Sequence, residues 1–409
     1  MSKMRAYLDS LVAQEKIPNV CCAVVKDGKI IFEHSCGNDH LSLTKPIRAY
    51  SMTKVATAVA ILQLRDAGKL SLDTQIASIL EEWPEEQVFM HQGQIKIATT
   101  KITIRHLLQH SAGLSYGFWM DPVAEKYRER NLNLPHPIAY PSLDDPTQRC
   151  PPPSSLHDFC KKLAPLPLLA NPGERYHYSV SFDVLGRIIE CVSGLSLDEY
   201  FRIHIFDKVH ANATHFYLQN PDTVAPVYVK TNQGFLVAPH IDPPPNTPPA
   251  APSGGGGLYT TIADWCAFAN GLLDGTLLSQ NSIDELRTPD SSNFIRPPDS
   301  LAARYPALGL GVWCIPPLDS AHKEDEDEKK KEQKIHENEN NYCLDVPIAP
   351  IMAPGAFGWP GASGSSFFVD PARKAAVVFT THLFLADLVV PGLQASIFEQ
   401  ACSIIGCSS

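Results

Sequence analysis

Hydrophobic runs broken by short polar turns occur near both ends of the chain, and this pattern predicts paired strands. The first stretch, "NVCCAVVKDGKIIFEHSCG", has apolar runs on both sides of Asp27-Gly28, a dipeptide typical of a hairpin turn. The second, "GSSFFVDPARKAAVVFTTHL", predicts two more strands around Asp370-Pro371. Helical periodicity marks the two ends themselves, in "MSKMRAYLDSLVAQEK" and "LQASIFEQACSII".

Between these strands, apolar positions recur every three to four residues, which predicts helices. The longest such pattern, "MTKVATAVAILQLRDAGKL", ends at Gly68, which suits a helix C-cap. The stretch "SFDVLGRIIECVSGLSLDEYF" divides at Gly194 into two helical segments. Thr261 caps a predicted helix over "IADWCAFANGLL", and Ser154 or Ser155 caps another over "LHDFCKKLA".

Strands at both ends with helices between them indicate an α+β fold, an α/β sandwich. We expect an antiparallel sheet built from N- and C-terminal strands and flanked by helices, with a mostly helical domain inserted. The predicted sheet domain is discontinuous, comprising residues 1–95 and 253–409. Residues 96–252 form the predicted helical domain with long loops, and the active site is expected between the two domains.

Three stretches predict loops because their composition does not support regular structure. Residues 118–170 are irregular and proline-rich, and residues 240–257 combine prolines with four consecutive glycines. Residues 322–340 hold eight acidic residues and five lysines with one aliphatic residue. Such a run cannot bury a core, so we predict a charged, disordered loop over about residues 318–342.

Composition narrows the class of protein. The chain has 409 residues, 44% of them hydrophobic, and a net charge of -10, which disfavours a nucleic-acid binder. Its eleven cysteines are scattered and form no CxxC pair, which disfavours a disulfide framework and a zinc site. No apolar run approaches the roughly 18 residues that span a bilayer. We therefore expect a cytoplasmic protein with reduced thiols, no membrane partner and no metal or cofactor.

Ser51 and Lys54 in "AYSMTKVATA" are the first candidates for chemistry. Spacing of three residues at a helix start places both side chains on one face. A serine hydroxyl becomes nucleophilic when a base takes its proton, and a lysine serves as that base when burial or a neighbouring cation lowers its pKa. The sequence after Lys54 is apolar and reaches no acid until Asp66. The alternative interpretation is an ordinary serine N-cap with a solvated lysine.

Two further stretches carry candidate groups. "RYHYSVSFDVLG" supplies Tyr176 and Tyr178, either of which is a possible general base. "FGWPGASGSSFFVDP" supplies Trp359 and Gly361, and its glycines let a strand approach a ligand closely. The alternatives are packing tyrosines and a bulged strand.

Histidines also have metal-like spacing at one point of the sequence. His106 and His110 are four residues apart, as zinc ligands on a helix are. No HExxH pattern accompanies them, so no metal site is predicted there.

Taken in order, the SxxK pair, the tyrosine motif about 125 residues later and the aromatic-x-Gly strand resemble the serine β-lactamase and penicillin-binding-protein superfamily. "ITIRHLLQHSAGL" and "GGGGLYTTIADWCAFANGLLDG" also resemble segments of that family. The resemblance covers roughly residues 16–405 without the charged insertion. It is greatest to the class C-related branch, which includes family VIII carboxylesterases and statin-type acyltransferases.

The resemblance implies roles for particular residues. Ser51 would be the acylated nucleophile, Lys54 would share its proton, and Tyr178 would be the general base, because "YSVSFDVLG" resembles the family's YxN segment. Backbone N–H groups of Ser51 and Ala362 would form the oxyanion hole. Trp359, Gly361, Tyr176 and Val180 are the expected substrate-binding residues.

Two positions depart from the lactam-binding pattern, because Val180 replaces the asparagine of YxN and Trp359 replaces the cation of the third motif. The resemblance therefore implies a serine carboxylesterase that cleaves a small ester through an acyl-serine. The alternatives are an acyltransferase with an alcohol or amine acceptor, a β-lactamase or D-peptidase, and an inactive scaffold.

Overall fold

The computed structural model describes residues 1–37, 41–132, 151–238, 245–289, 307–316 and 353–406. The predicted charged loop at 318–342 lies outside the described residues, as do the proline-rich residues 133–150 and 239–244. Among the described residues, no helix has the length and apolar character that crossing a membrane requires.

The described strands form one large sheet and three small ones, all antiparallel. In chain order they are β1 (Asn19–Lys26), β2 (Lys29–Gly37), β3 (Ile47–Arg48), β4 (Val88–His91), β5 (Gln94–Ile97), β6 (Tyr228–Thr231), β7 (Gly234–Val237), β8 (Tyr259–Thr260), β9 (Ala307–Leu308), β10 (Trp313–Cys314), β11 (Phe357–Gly361), β12 (Ser365–Asp370) and β13 (Ala375–Thr380).

Strands from the two ends of the chain meet in the large sheet. Its order is β2-β1-β13-β12-β11-β10-β9, with seven strands among the described residues. N-terminal β1 pairs with C-terminal β13, Cys21 opposite Thr380 and Lys26 opposite Ala375. The predicted antiparallel sheet from both termini is therefore confirmed.

Helices connect and cover the strands. In chain order they are α1 (Ser2–Ala13), α2 (Thr53–Asp66), α3 (Ile104–Leu108), α4 (Ala124–Glu129), α5 (Leu156–Leu163), α6 (Ser181–Ser193), α7 (Leu197–Phe201), α8 (Ile262–Leu273), α9 (Gln280–Arg287), α10 (Ala386–Val389) and α11 (Leu393–Ile405). The structure thus has the mixed helix and strand character that the sequence predicts.

The central strands of the large sheet are buried on both faces. Consecutive side chains of a strand point to opposite sides, and every residue of β12 and β13 is buried, whereas the edge strand β2 is largely exposed. On β12, Phe367 packs against Trp265 of α8, with ring centroids 5.5 Å apart. Its neighbour Phe368 packs against Phe398 of α11, with centroids 4.7 Å apart. Helices therefore cover each face of the sheet, as in the predicted α/β sandwich.

Helix boundaries follow the sequence signals closely. Helix α6 ends at Gly194, which has a left-handed φ of 75°, and the side chain of Thr261 caps α8 by accepting from Asp264 N–H. Ser155 is the N-cap of α5, which settles the choice left open between two serines. Local capping chemistry is readable from sequence because its partners lie within four residues.

Some short elements were not predicted. The β4–β5 and β6–β7 hairpins lie in stretches without a clear turn dipeptide, and α4 lies within the stretch 118–170 that was expected to be irregular. Four-residue strands and a six-residue helix carry too few periodic positions to stand out. The division into domains at residues 95 and 253 remains a prediction.

Candidate active site

Ser51 lies in a short 3₁₀ turn, Tyr50–Met52, that leads directly into α2. The preceding residue, Tyr50, has a φ of 45°, in the left-handed region that non-glycine residues rarely adopt. Such strain persists only where surrounding contacts enforce it, and it is frequent at functional sites. The turn presents the Ser51 side chain, which is partly exposed, at the N-terminal end of the helix.

Lys54, one turn further along, has no solvent-exposed surface. Its Nζ donates to the backbone carbonyl of Gly255 at 2.6 Å and to Ser51 Oγ at 3.2 Å. The ammonium also lies 4.6 Å from the centroid of the Tyr178 ring. A buried lysine needs such partners, because an unpaired charge in an apolar interior is costly.

Tyr178 completes the cluster from a distant part of the sequence. Its hydroxyl shares a 2.6 Å hydrogen bond with Ser51 Oγ. Its backbone carbonyl accepts a 2.8 Å hydrogen bond from the indole N–H of Trp119. Tyr176 is also buried, but its ring lies beside His110, with centroids 5.8 Å apart. Of the two candidate tyrosines, Tyr178 is therefore the one that the structure places on Ser51.

The backbone around Tyr178 is held from both sides by His110. The carbonyl of His110 accepts from His177 N–H at 2.7 Å, and its ring Nδ1 accepts from Ser179 N–H at 3.2 Å. The imidazole lies 4.7 Å from the Tyr178 ring, centroid to centroid. Burial, with the nearby charge of Lys54, lowers the pKa of His110 well below its usual value. His110 is therefore a neutral support beneath Tyr178.

Asp183 positions Lys54 indirectly, through the backbone of Gly255. One carboxylate oxygen of Asp183 accepts from Ser253 Oγ at 2.5 Å and from Gly255 N–H at 3.1 Å. Burial raises the pKa of this carboxyl, and the Ser253 hydrogen bond and the charge of Lys54 oppose that effect. Asp183 thus fixes the turn whose Gly255 carbonyl receives the lysine.

The end of β11 forms the other side of the site. A side chain at Gly361 would overlap the carbonyl of Ala49 and the hydroxyl of Ser365, so only glycine allows this close approach to the Ser51 turn. In the described residues, no acceptor is bonded to the N–H of Ala362, whereas its carbonyl accepts from Leu385 N–H at 2.8 Å. Trp359 is buried and stacks on Tyr178, with centroids 6.1 Å apart and 22° between ring planes.

The structure thus brings Ser51, Lys54 and Tyr178 into direct contact and sets Trp359 beside them. Val180 is also near, as the buried N-cap of α6. Sequence reasoning missed the supporting residues His110 and Asp183. Each has a signal in hindsight: a histidine with left-handed φ before "SAGL", and an acid inside the apolar stretch "SFDVLG".

The two histidines with metal-like spacing each accept a hydrogen bond from a different backbone amide. His106 Nδ1 accepts from Thr103 N–H at 3.2 Å, whereas His110 Nδ1 accepts from Ser179 N–H. This similarity makes His106 a matched control for His110.

We expect His110→Phe to lower kcat for any reaction at Ser51 about 100-fold with little change in KM, because small displacements of reacting groups have effects of that size. The phenyl ring keeps the packing against Tyr178 but leaves Ser179 N–H without its acceptor. His110→Asn should retain most of kcat despite lower thermal stability, because its side-chain oxygen replaces Nδ1 and asparagine tolerates left-handed φ. Steady-state kinetics and thermal melts measure both effects.

The control is His106→Phe, which removes the same kind of imidazole–amide bond away from Tyr178. It should change stability more than kcat. Equal losses of kcat in His110→Phe and His110→Asn would contradict the positioning role.

Comparison with known proteins agrees with this geometry. The family model described as Beta-lactamase matches residues 4–392. The acyltransferase calJ of Penicillium decumbens is 26% identical, over 82% of this chain and 75% of calJ. Esterase EstB of Burkholderia gladioli is 27% identical, over 48% of this chain and 46% of EstB.

The fold agrees as well. The structure of EstCE1, "a hydrolase with promiscuous acyltransferase activity", superposes with a TM-score of 0.70 at 19% identity, covering 98% of this chain and 97% of that one. At this identity the likeness concerns the fold. The resemblance seen in the sequence motifs is confirmed, and the chain belongs to the Beta-lactamase family, whose members similar to it include esterases and acyltransferases.

Proposed function

We propose that the chain is a serine carboxylesterase that cleaves small uncharged esters through an acyl-serine at Ser51. The observation that carries the proposal is the shared contact at Ser51 Oγ, 2.6 Å from the Tyr178 hydroxyl and 3.2 Å from Lys54 Nζ. A nucleophile in hydrogen-bond reach of a pair of groups that can exchange its proton is what acyl transfer by serine requires. The esterases among the relatives support the same activity.

In the first half-reaction, Ser51 Oγ bonds to the ester carbonyl carbon while its proton passes to the Tyr178–Lys54 pair, which accepts it as phenolate with ammonium or as phenol with neutral amine. The carbonyl oxygen becomes an oxyanion, which the N–H groups of Ser51 and Ala362 stabilise. Collapse of this intermediate breaks the bond to the alcohol, which leaves with the proton held by the pair. Support for the role of Ala362 comes from its N–H, for which no described residue provides an acceptor.

In the second half-reaction, water takes the place of the alcohol. Tyr178 accepts a proton from water as the water oxygen attacks the acyl carbon, and the proton returns to Ser51 Oγ on release of the acid. Each step balances without a metal or cofactor, so none is proposed.

The proposed substrate contacts differ in kind. Trp359 and Gly361 flank the acyl group along β11, and the buried Val180 places an apolar side chain where a polar group would otherwise stand. Tyr176 contributes through packing against His110, at 5.8 Å between ring centroids. With Lys54 already engaged by Gly255, this arrangement favours an uncharged acyl group over the carboxylate of a lactam.

The experiment that tests the function combines turnover and trapping. Purified protein is incubated with p-nitrophenyl butyrate, and acid-quenched samples are analysed by mass spectrometry. We expect p-nitrophenol release, and a butyryl group on the peptide that contains Ser51. Labelling at another residue, or turnover of nitrocefin faster than of the ester, contradicts the proposal.

Transfer to an alcohol or amine acceptor is the second candidate, favoured by acyltransferases such as calJ among the relatives. Adding methanol, butanol or an amine during turnover separates the two functions. An esterase gives mainly the free acid, whereas an acyltransferase gives the new ester or amide as acceptor concentration rises.

Two further predictions complete the proposal. Ser51 and Ala362 belong to the predicted sheet domain, residues 1–95 and 253–409. Tyr178 belongs to the predicted helical domain, residues 96–252. These positions agree with a site between the two domains.

A cytoplasmic location is favoured by the free cysteines of the described chain, such as Cys21, where burial raises the pKa of the thiol to about 12.

A further inference from the structure

Three apolar side chains in and just before helix α10 are exposed to solvent. Leu385, Leu388 and Val389 are 44%, 47% and 36% exposed, whereas Ala386 between them is buried. Leu385 is the N-cap of the helix, and Leu388 and Val389 lie in the single turn that follows it. The carboxylate of Asp387 is partly buried and accepts from Gln394 N–H at 3.0 Å. We call the three exposed side chains the α10 stripe.

The α10 stripe is joined directly to the candidate active site. Leu385 donates its backbone N–H to the carbonyl of Ala362, at 2.8 Å. Its φ of 52° is left-handed, which is strained for a leucine. The chain thus bends sharply at the first residue of the stripe, immediately beside the proposed oxyanion hole. An exposed apolar surface at such a place indicates a binding role.

A second apolar edge continues the surface. Backbone hydrogen bonds join Phe384 N–H to the carbonyl of Tyr228 at 2.8 Å, and Tyr228 N–H to the carbonyl of His382 at 2.7 Å. Tyr228 on β6 lies opposite Val237 on β7, which is 56% exposed. Strand β6 therefore borders the segment that leads into the α10 stripe, and β7 lies on the other edge of β6.

We propose that the α10 stripe binds the apolar chain of the ester substrate, so that the enzyme prefers medium-length acyl esters to acetyl esters. The inference rests on the proposed esterase function. A chain attached at Ser51 and passing Ala362 would reach Leu385 first. From Ala386 to Val389 the helix rises about 4.5 Å, enough to cover about three methylene groups. Covering them removes apolar surface of both chain and protein from water.

Other occupants fit the stripe less well. A stable dimer buries about 800 Å² on each partner, over 20 or more residues, which exceeds three side chains on a short helix. Helices that lie on membranes are rich in lysine and arginine on their polar face. Residues 381–393, "THLFLADLVVPGL", contain neither, and the net charge of the chain is -10. A bound substrate chain remains the occupant that the charges and dimensions favour.

The experiment compares kcat/KM for p-nitrophenyl acetate and p-nitrophenyl octanoate, the latter kept below its micelle concentration. For the natural sequence, we expect octanoate to exceed acetate at least tenfold. The double variant Leu388→Gln/Val389→Thr keeps side-chain size but adds polar groups. We expect it to lower the octanoate-to-acetate ratio about tenfold, with thermal stability retained because both side chains are exposed.

The matched control is Ile95→Gln/Ile97→Thr on β5, whose isoleucines are 57% and 67% exposed. This control should leave the ratio unchanged. The inference is overturned if the natural sequence shows no preference for octanoate, or if the α10 variant loses both substrates in parallel. It is also overturned if the α10 variant keeps the octanoate-to-acetate ratio of the natural sequence but no longer co-sediments with lipid vesicles or no longer has the mass of a dimer.

Failure of the inference and failure of the proposed function give different results. Acetate turnover that disappears with Ser51→Ala, combined with a flat chain-length profile, rejects the α10 stripe alone. Absence of any Ser51-dependent turnover rejects the esterase itself.

Discussion

Replacing Ser51 with alanine should lower kcat for p-nitrophenyl butyrate by at least about 10⁴-fold, since removing the nucleophile of a covalent mechanism leaves only binding and oxyanion stabilisation. The fold should persist, because among the described residues the lost hydroxyl is hydrogen-bonded only to Tyr178 and Lys54. Progress curves at high enzyme concentration measure the residual rate, and a thermal melt checks folding. The butyryl adduct on the Ser51 peptide should vanish in the same variant.

A suitable control is Ser78→Ala, because Ser78 is exposed and its hydroxyl donates to the carbonyl of Gln75, three residues away. It should match the natural sequence in rate and stability. A folded Ser51→Ala protein that retains more than a few per cent of kcat would rule out the acyl-serine mechanism.

Tyr178→Phe should lower kcat about 10³-fold, within the range that general-base catalysis contributes. The substitution removes one oxygen and keeps the ring, so the stacking on Trp359 and the contact with His110 remain. Because binding surfaces are preserved, KM should change little. Steady-state kinetics with p-nitrophenyl butyrate measure both constants, and a thermal melt checks folding.

Tyr176→Phe is the matched comparison, because it makes the same chemical change two residues away. Its hydroxyl is not bonded to Ser51, so kcat should fall less than tenfold. If Tyr176→Phe proves the more damaging substitution, the base has been assigned to the wrong tyrosine.

The sequence predicts best those features whose partners are close along the chain. Three such features depend on residues no more than four positions apart: the Ser51–Lys54 spacing, the Gly194 helix end and the Thr261 cap. The contact of Ser51 with Tyr178 crosses 127 positions and was predicted through a family resemblance rather than from spacing. Pattern reasoning alone left two tyrosines, and the three-dimensional structure places one of them on the serine.

The supporting contacts show why the rest was not predictable. His110 supports Tyr178 through a backbone amide 69 positions away, and Asp183 supports Lys54 through the amide of Gly255, 72 positions away. Such contacts depend on how helices and turns pack, and any buried polar residue is compatible with many partners. Periodicity in the sequence therefore predicts where the helices and strands lie, whereas the buried polar contacts of the site are seen only in the three-dimensional structure.

The hydrogen bond from Leu385 to Ala362 also has a consequence for the substrates that the site rejects. An extended peptide binds beside a strand by exchanging backbone hydrogen bonds with it, and so needs free carbonyls as well as free N–H groups. At the end of β11, the chain's own Leu385 already occupies the Ala362 carbonyl, at 2.8 Å. A peptide N–H that docks there would have to share this acceptor with Leu385, whereas an ester has no N–H to satisfy. We therefore expect the backbone at the end of β11 to favour esters over peptides before any side chain of the pocket is considered.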